Sequence, residues 1–200
     1  MNYPDDYINK IIQGDCLEVI KGIPDKSVDL VLTDPPYPDY HAEIYQYKDG
    51  ILDFLNNFKC RQLIFWSAKV NFPLDYSAIH IWDKLMGVGS MYERIFERNG
   101  GKNYKVFRGC PIQNKVCAQM AQDIFTGHKS QKPIKLIREL IEKYTKEGQT
   151  ILDPFLGSGT TAVACKELGR KYIGIEISPE YCEMARKRVN TTSEPLFGGI

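Results

Sequence analysis

The chain has little of what marks secreted, membrane or zinc-bound proteins. Its six cysteines (Cys16, Cys60, Cys110, Cys117, Cys165, Cys182) form no CxxC pair, and its three histidines (His41, His80, His128) are scattered. That spacing argues against a structural zinc cluster, and no metal is expected. No apolar run approaches the ~20 residues of a membrane span. The opening MNYPDDYINK is polar and acidic, unlike a signal peptide. The expectation is a cytoplasmic protein with reduced thiols and no membrane partner. Net charge is nearly absent too: 26 Lys and Arg against 25 Asp and Glu leave +1, so global charge neither demands nor forbids nucleic acid. Repeats and low-complexity segments are missing. With only 26% charged residues, disorder is not the default.

What is present is enough apolar material for one core: 43% of 200 residues are hydrophobic. The charge is unevenly spread. Residues 1–55 carry eleven acids and four bases, whereas 94–115 carry six bases and one acid. A local basic segment can contact phosphate in a neutral protein, although a solvated surface hairpin explains the charge equally simply.

Strand-like and helix-like segments alternate, which predicts a mostly parallel sheet covered on both faces. Strands are expected at 9–14, 27–33, 62–67, 78–83, 150–153 and 171–177, and a hairpin over 91–108 with Asn99-Gly100-Gly101 as its turn. Helices are expected at 15–21, where Asp15 and Glu18 are spaced as a capping box, then within 44–58, at 133–146, at 160–168, and from Ser178-Pro179 onward. Residues 109–130 read as loop and 191–200 as a loose tail.

Two segments at carboxyl ends of strands stand out, because open α/β sheets bind ligands there. The first is Asp153-Pro-Phe-Leu-Gly157-Ser158-Gly159-Thr160-Thr161. Its glycines permit a tight turn and close approach of a ligand. It has no third glycine at the dinucleotide spacing and no Gly-Lys-Ser/Thr, which argues against pyrophosphate cofactors and nucleoside triphosphates. The next strand ends at Glu176, where an acid can accept two hydrogen bonds from a ribose diol. The pair suggests a ribose-bearing cofactor without a pyrophosphate; a glycine turn needed only for packing is the competing reading.

The second segment is Asp34-Pro35-Pro36-Tyr37. Its prolines fix φ and remove two N–H donors, leaving acceptors, the Asp34 carboxylate and the Pro35 carbonyl, beside an aromatic plane. An exocyclic amine on a flat ring suits such a site. Two acceptors on its hydrogens would localise its lone pair, a stabilisation specific to the transition state. A proline turn that merely ends a strand is the plainer alternative.

Together these segments resemble the amino-methylating DNA methyltransferases that use S-adenosylmethionine and form N6-methyladenine or N4-methylcytosine. The likeness is to the permuted, beta-type order, with the Asp-Pro-Pro-Tyr half first. It spans nearly the whole chain, through IIQGDCLEVIKGIPDKSVDLVLTDPPY (11–37), IHIWDK (79–84), and HKSQKP, DPFLGSGTT and GIEISPEYCEMAR within 128–186. The resemblance implies an α/β, Rossmann-like methyltransferase fold as a single domain over 1–200. Its mostly parallel seven-stranded sheet would carry helices on both faces and a terminal hairpin. It implies S-adenosylmethionine as cofactor, with Asp153, Phe155, Gly157, Ser158, Gly159 and Thr160 along its methionine side and Glu176 on its ribose. Asp15 would lie near its adenine, although a helix N-cap explains Asp15 as well. His128, Ser130, Gln131 and Lys132 would close over the methionine end. Asp34, Pro35, Pro36 and Tyr37 would hold a base flipped out of double-stranded DNA. The amine would attack the methyl in line, without metal or covalent enzyme intermediate. Asp rather than Ser before Pro-Pro-Tyr leans toward adenine, and cytosine N4 remains the alternative.

The chain departs from the family pattern in three ways. Pro38 follows Tyr37, HKSQKP replaces the usual HPTQKP, and only 85–127 is left for target recognition. Within that segment Arg94, Arg98, Lys102, Lys105 and Arg108 form the candidate DNA-contacting face. Core packing is the stronger reading of the interleaved Tyr92, Phe96, Tyr104 and Phe107. So short a segment suggests a relaxed target or a homodimer, and a partner restriction endonuclease is left open. From a different class, a catalytically weak DNA- or cofactor-binding module remains the competing reading.

Overall fold

The computed structural model describes residues 1–24, 26–36, 50–85, 91–120, 123–128 and 130–193. Eight strands form one sheet: β1 (Lys10–Gln13), β2 (Leu30–Thr33), β3 (Arg61–Trp66), β4 (Ala78–Asp83), β5 (Tyr92–Arg98), β6 (Val106–Arg108), β7 (Thr150–Asp153) and β8 (Lys171–Glu176). Their order is β1-β8-β7-β2-β3-β5-β4-β6. All neighbours are parallel except at β5, which runs antiparallel to β3 and β4. The central strands β2 (LVLT) and β7 (TILD) are buried along their whole length, as parallel strands covered on both faces must be.

Among the described residues, six α-helices accompany the sheet: α1 (Cys16–Val19), α2 (Ile51–Asn57), α3 (Lys115–Met120), α4 (Ile134–Tyr144), α5 (Thr160–Glu167) and α6 (Pro179–Thr191). Leu136, Ile137, Leu140 and Ile141 of α4, with Ala162 and Val163 of α5 and Ala185 and Val189 of α6, cover one face over Leu30, Leu32, Leu63 and Ile151. Tyr7, Cys16, Ile51 and Leu55 cover the other over Val31, Ile64, Leu152 and Ile173. No described helix is long and apolar enough to cross a membrane.

The structure corrects three expectations. Among the described residues the sheet has eight strands rather than seven. Residues 91–108 are not a hairpin: β5 lies between β3 and β4, and β6 pairs with the far edge of β4. The cause is that both edges of β5 are occupied. The Asn99 amide donates to Phe58 and Cys60 oxygens at 3.1 and 3.0 Å, drawing the turn toward β3, so the chain must pass β4 to find a free edge. The 109–130 stretch contains α3, whose Asn114 side chain accepts from Cys117 N at 2.9 Å. Residues 37–49, with Tyr37, Pro38 and part of the expected 44–58 helix, and residues 194–200 of the expected tail, lie outside the described residues.

Candidate active site

β2 and β7 are neighbours, in register at Leu30–Ile151 and Val31–Leu152. Their carboxyl ends therefore bring Asp34 and Asp153 to the same edge. This is also where the connections diverge toward opposite ends of the sheet, the switch point at which such sheets hold ligands. A cavity of about 360 Å³ opens there. Asp15, Asp34, Pro35, Pro36, His128, Ser130, Lys132, Asp153, Phe155, Gly157, Ser158, Thr160 and Glu176 line it. Two segments more than a hundred residues apart in sequence thus form one site.

The glycine loop is shaped by hydrogen bonds to its acids. Glu176 accepts from Gly157 N and Ser178 N, both at 2.8 Å, which pins its carboxylate to the cavity wall. Asp153 accepts from Thr161 Oγ1 at 2.6 Å and Phe155 N at 3.2 Å. Burial pushes its carboxyl up to about 7 despite these donors, and the nearby Asp34 charge adds to the rise. A Cβ on Gly157 would lie 3.0 Å from His128 Nε2, so glycine lets the loop and the ring approach. His128 Nδ1 accepts from Ser130 N at 3.2 Å, which places the ring proton on Nε2. Burial, then Lys132 and Arg188, lower His128 to about 4, so the ring is neutral at pH 7.

Asp34 has a divided carboxylate. Its Oδ2 pairs with Lys132 Nζ. Its Oδ1 is buried and has no hydrogen-bond partner among the described residues. An unsatisfied buried acceptor is costly, and it is the feature expected where an amine donor from a ligand will sit. Burial raises the Asp34 carboxyl above its ordinary value against the pull of Lys132. Asp15 N-caps α1 through Leu17 N at 3.1 Å and also lines the cavity.

Several sequence candidates take other roles. Gln131 braces the segment ahead of it, accepting from Thr126 Oγ1 at 2.7 Å and donating to Ile124 O at 2.6 Å; it does not line the cavity. Gly159 is also absent from the lining. It starts α5 with φ +83°, and a Cβ there would meet Ala185 Cβ at 2.7 Å, so it is a packing glycine between α5 and α6. Arg98, expected on DNA, is buried. Its guanidinium donates to Asp75 O (2.6 Å), Leu55 O (2.7 Å), Gln62 Oε1 (3.1 Å) and Asn56 Oδ1 (2.8 Å). Arg94 donates to Ser67 O at 2.6 Å and to Val70 O. Both hold the β3–β4 connection and leave the proposed DNA face. Lys102 and Arg108 are exposed and Lys105 is half-buried. Phe96 and Phe107 are core residues, whereas Tyr104 is 76% exposed.

Sequence reasoning missed Arg188. It donates to Ser158 O at 2.8 Å and Thr160 Oγ1 at 3.0 Å, and lies 3.7 Å from Asp123 Oδ1. Asp123 in turn accepts from Ile134 N at 2.8 Å, so one guanidinium ties the glycine loop to the segment leading into α4. A signal did exist: Arg188 sits three residues after Ala185 and beside Val189, within the buried stripe of α6.

The family model described as DNA methylase, for N6 and N4 methyltransferases, matches residues 51–187. That span includes the glycine loop and Glu176 but begins after Asp34. The type II methyltransferase M.HinfI of Haemophilus influenzae is 26% identical, over 92% of this chain and 69% of its own length. The DNA adenine methyltransferase YhdJ of Escherichia coli is 28% identical, over 92% and 83%. The solved complex of M1.HpyAVI with S-adenosylmethionine superposes with a TM-score of 0.61 at 26% identity, covering 90% of this chain and 98% of that one. With a cavity built on the glycine loop and Glu176 at the sheet's switch point, and a family match over more than half its length, the chain belongs to the DNA methylase family.

Proposed function

We propose that this protein is an S-adenosylmethionine-dependent DNA methyltransferase that modifies the N6 amine of adenine. The observation that carries the reading is the shared cavity. It sets Asp34 and Pro35 in one cavity with the loop that starts at Asp153 and with Glu176. The adenine assignment is supported by the relative named as a DNA adenine methyltransferase, and by Asp rather than Ser before Pro35. Cofactor identity is supported by the superposition on a complex with S-adenosylmethionine.

The residues fit that cofactor. Glu176, held by two backbone amides, keeps acceptor capacity for ribose hydroxyls. Asp153, Phe155, Gly157, Ser158 and Thr160 would border the methionine portion, with the neutral His128 packed against Gly157 and Ser130 nearby. When bound, S-adenosylmethionine supplies an electrophilic methyl group on a sulfonium. The chain's own work is to hold the amine. Asp34 Oδ1 and the Pro35 carbonyl accept its hydrogens and draw the nitrogen lone pair out of the ring system. Their alignment is fixed before substrate arrives, by proline stiffness and by Lys132 on the other oxygen. A base within a duplex cannot reach this cavity, so the substrate base must be extruded.

Lys102, Lys105 and Arg108, with exposed Tyr104, are the proposed phosphate-contacting group. A homodimer would enlarge the recognition surface that 85–127 offers, and gel filtration decides it. A paired restriction endonuclease and a cytoplasmic location belong to the same reading.

The decisive assay incubates the protein with labelled cofactor and unmethylated DNA, then separates the nucleosides by mass. N6-methyladenine from the wild type is the expected result. Asp34→Ala should lower transfer about a thousandfold and leave cofactor affinity unchanged in calorimetry. N4-methylcytosine would reverse the base assignment. Cofactor binding with no modified base would favour a binding module.

A further inference from the structure

Beyond Asp34, the site contains a line of alternating charges. Lys132 Nζ pairs with Asp34 Oδ2 and, on its other side, lies 3.5 Å from Glu93 Oε2. The second oxygen of Glu93 accepts from Lys84 Nζ at 2.6 Å. Side-chain exposures are 24% for Asp34, 16% for Glu93 and 12% for each lysine. The two ammoniums lie over aromatic rings, Lys132 over Phe65 and Lys84 over Trp82, each 5.1 Å from the centroid. The four groups come from four segments: the end of β2, the end of β4, β5 and the approach to α4. The β4–β5 register places Glu93 opposite Trp82, and Lys84 follows two residues later.

An arrangement of this kind contributes little to stability, because desolvation offsets most of the Coulomb gain. Its effect falls on Asp34. Without Glu93, the Lys132 ammonium, which already bonds Asp34 Oδ2, would lose the negative charge 3.5 Å away on its other side. Asp34 would then feel more of the ammonium's positive charge, which reduces the carboxylate's strength as an acceptor. With Glu93 that charge is partly offset by a second carboxylate. Asp34 Oδ1, buried and without a hydrogen-bond partner among the described residues, is left out of the ion pair.

We propose that Glu93, anchored by Lys84, is a positioning residue of the methyl-transfer site. By sharing the Lys132 ammonium with Asp34, it sets which carboxylate oxygen faces the base and how much positive charge that carboxylate feels. The proposal rests on the reading of Asp34 as the amine acceptor. Among the described residues, the charged groups facing Asp34 are Lys132, Glu93 and Lys84, with Asp153 nearby. The directions of titration agree with the geometry. Burial and Glu93 both raise Asp34, and the lysines oppose them. Burial would raise Glu93 as well, but Lys132 and Lys84 outweigh it and hold that carboxyl below its ordinary value.

The test reads Asp34 directly, by carbon-13 NMR titration of side-chain carboxyls in the ligand-free protein, with the resonance assigned by Asp34→Asn. Glu93→Gln is nearly isosteric and should move the Asp34 midpoint down by about one pH unit. Lys84→Met should move it up, because Glu93 then draws Lys132 away. Opposite displacements support the proposal; a general loosening of the site would move both variants the same way. Glu93→Gln should also lower kcat about tenfold while KM for DNA holds. An unmoved resonance in both variants, or displacements of the same sign, would overturn the inference. Absence of any transfer by the wild type would overturn the functional reading, and the NMR result separates the two failures.

Discussion

Two buried groups in the cavity wall oppose one another as pH changes. His128 titrates at about 4 in the folded chain against an ordinary 6.5. Between those values the unfolded chain binds the extra proton, so His128 makes stability rise with pH. Asp153 titrates at about 7 against an ordinary 3.8. Between those values the folded chain binds the extra proton, so Asp153 makes stability fall as pH rises. The contributions are on the order of 3 kcal/mol for His128 and 4 kcal/mol for Asp153, and over their common range the two slopes nearly cancel. Urea unfolding across pH 4 to 7 should therefore show Asp153→Asn gaining stability relative to wild type as pH rises. His128→Asn should lose relative stability over the same range. Parallel curves for wild type and both variants would show that neither group titrates as described. At this scale the sequence was informative about which residues gather and much less about what each one touches. Asp34, Asp153 and Glu176 stand at strand ends, which alternation and glycine locate. Lys132 pairs with Asp34 through a tertiary contact 98 residues apart, and no local pattern carries that. Glu93 did leave a trace. It shares a strand face with Ile95 and Glu97, so two acids flank a fully buried isoleucine, an arrangement that needs cationic partners.

Among the elements, the parallel strands and long helices were legible because their apolar periods are long and their ends carry caps. Ser178 accepts from Tyr181 N, with Pro179 starting α6, and Gly159 begins α5. The β4–β5–β6 region was not, because a glycine turn between two apolar runs looks alike whether the strands pair or diverge. What decided it was competition for edges, settled by the Asn99 bonds to the segment between α2 and β3 and the Arg98 bonds to α2 and β3 themselves. Gly159 illustrates how one residue type hides two demands. Expected to face the ligand, it proves to be where α5 meets Ala185, in a left-handed conformation as well. Gly159→Ala should cost about 1–3 kcal/mol, seen as a lower Tm without ligand, whereas a glycine needed only for ligand approach would leave the apo Tm unchanged.

For the molecule as a whole, the basic segment divides into an inner and an outer part. Arg94 and Arg98 brace the sheet, while Lys102, Lys105 and Arg108 remain toward solvent near the outer edge. Replacing those three with glutamine should flatten the salt dependence of DNA affinity by about 0.9 in log–log slope for each phosphate no longer neutralised. A slope equal to the wild type would place DNA on another face. Replacing Arg98 should instead lower stability. The pairing of β2 with β7 has a kinetic consequence. Thr150 N donates to Asp29 across a separation of 121 residues, so the two halves of the cavity meet only when one of the longest loops in the chain has closed. Loops of this length are slow to close and form late. Until then no pocket exists for the cofactor to grip. Added S-adenosylmethionine should therefore lengthen the lifetime of the folded protein in denaturant and leave its refolding rate unchanged.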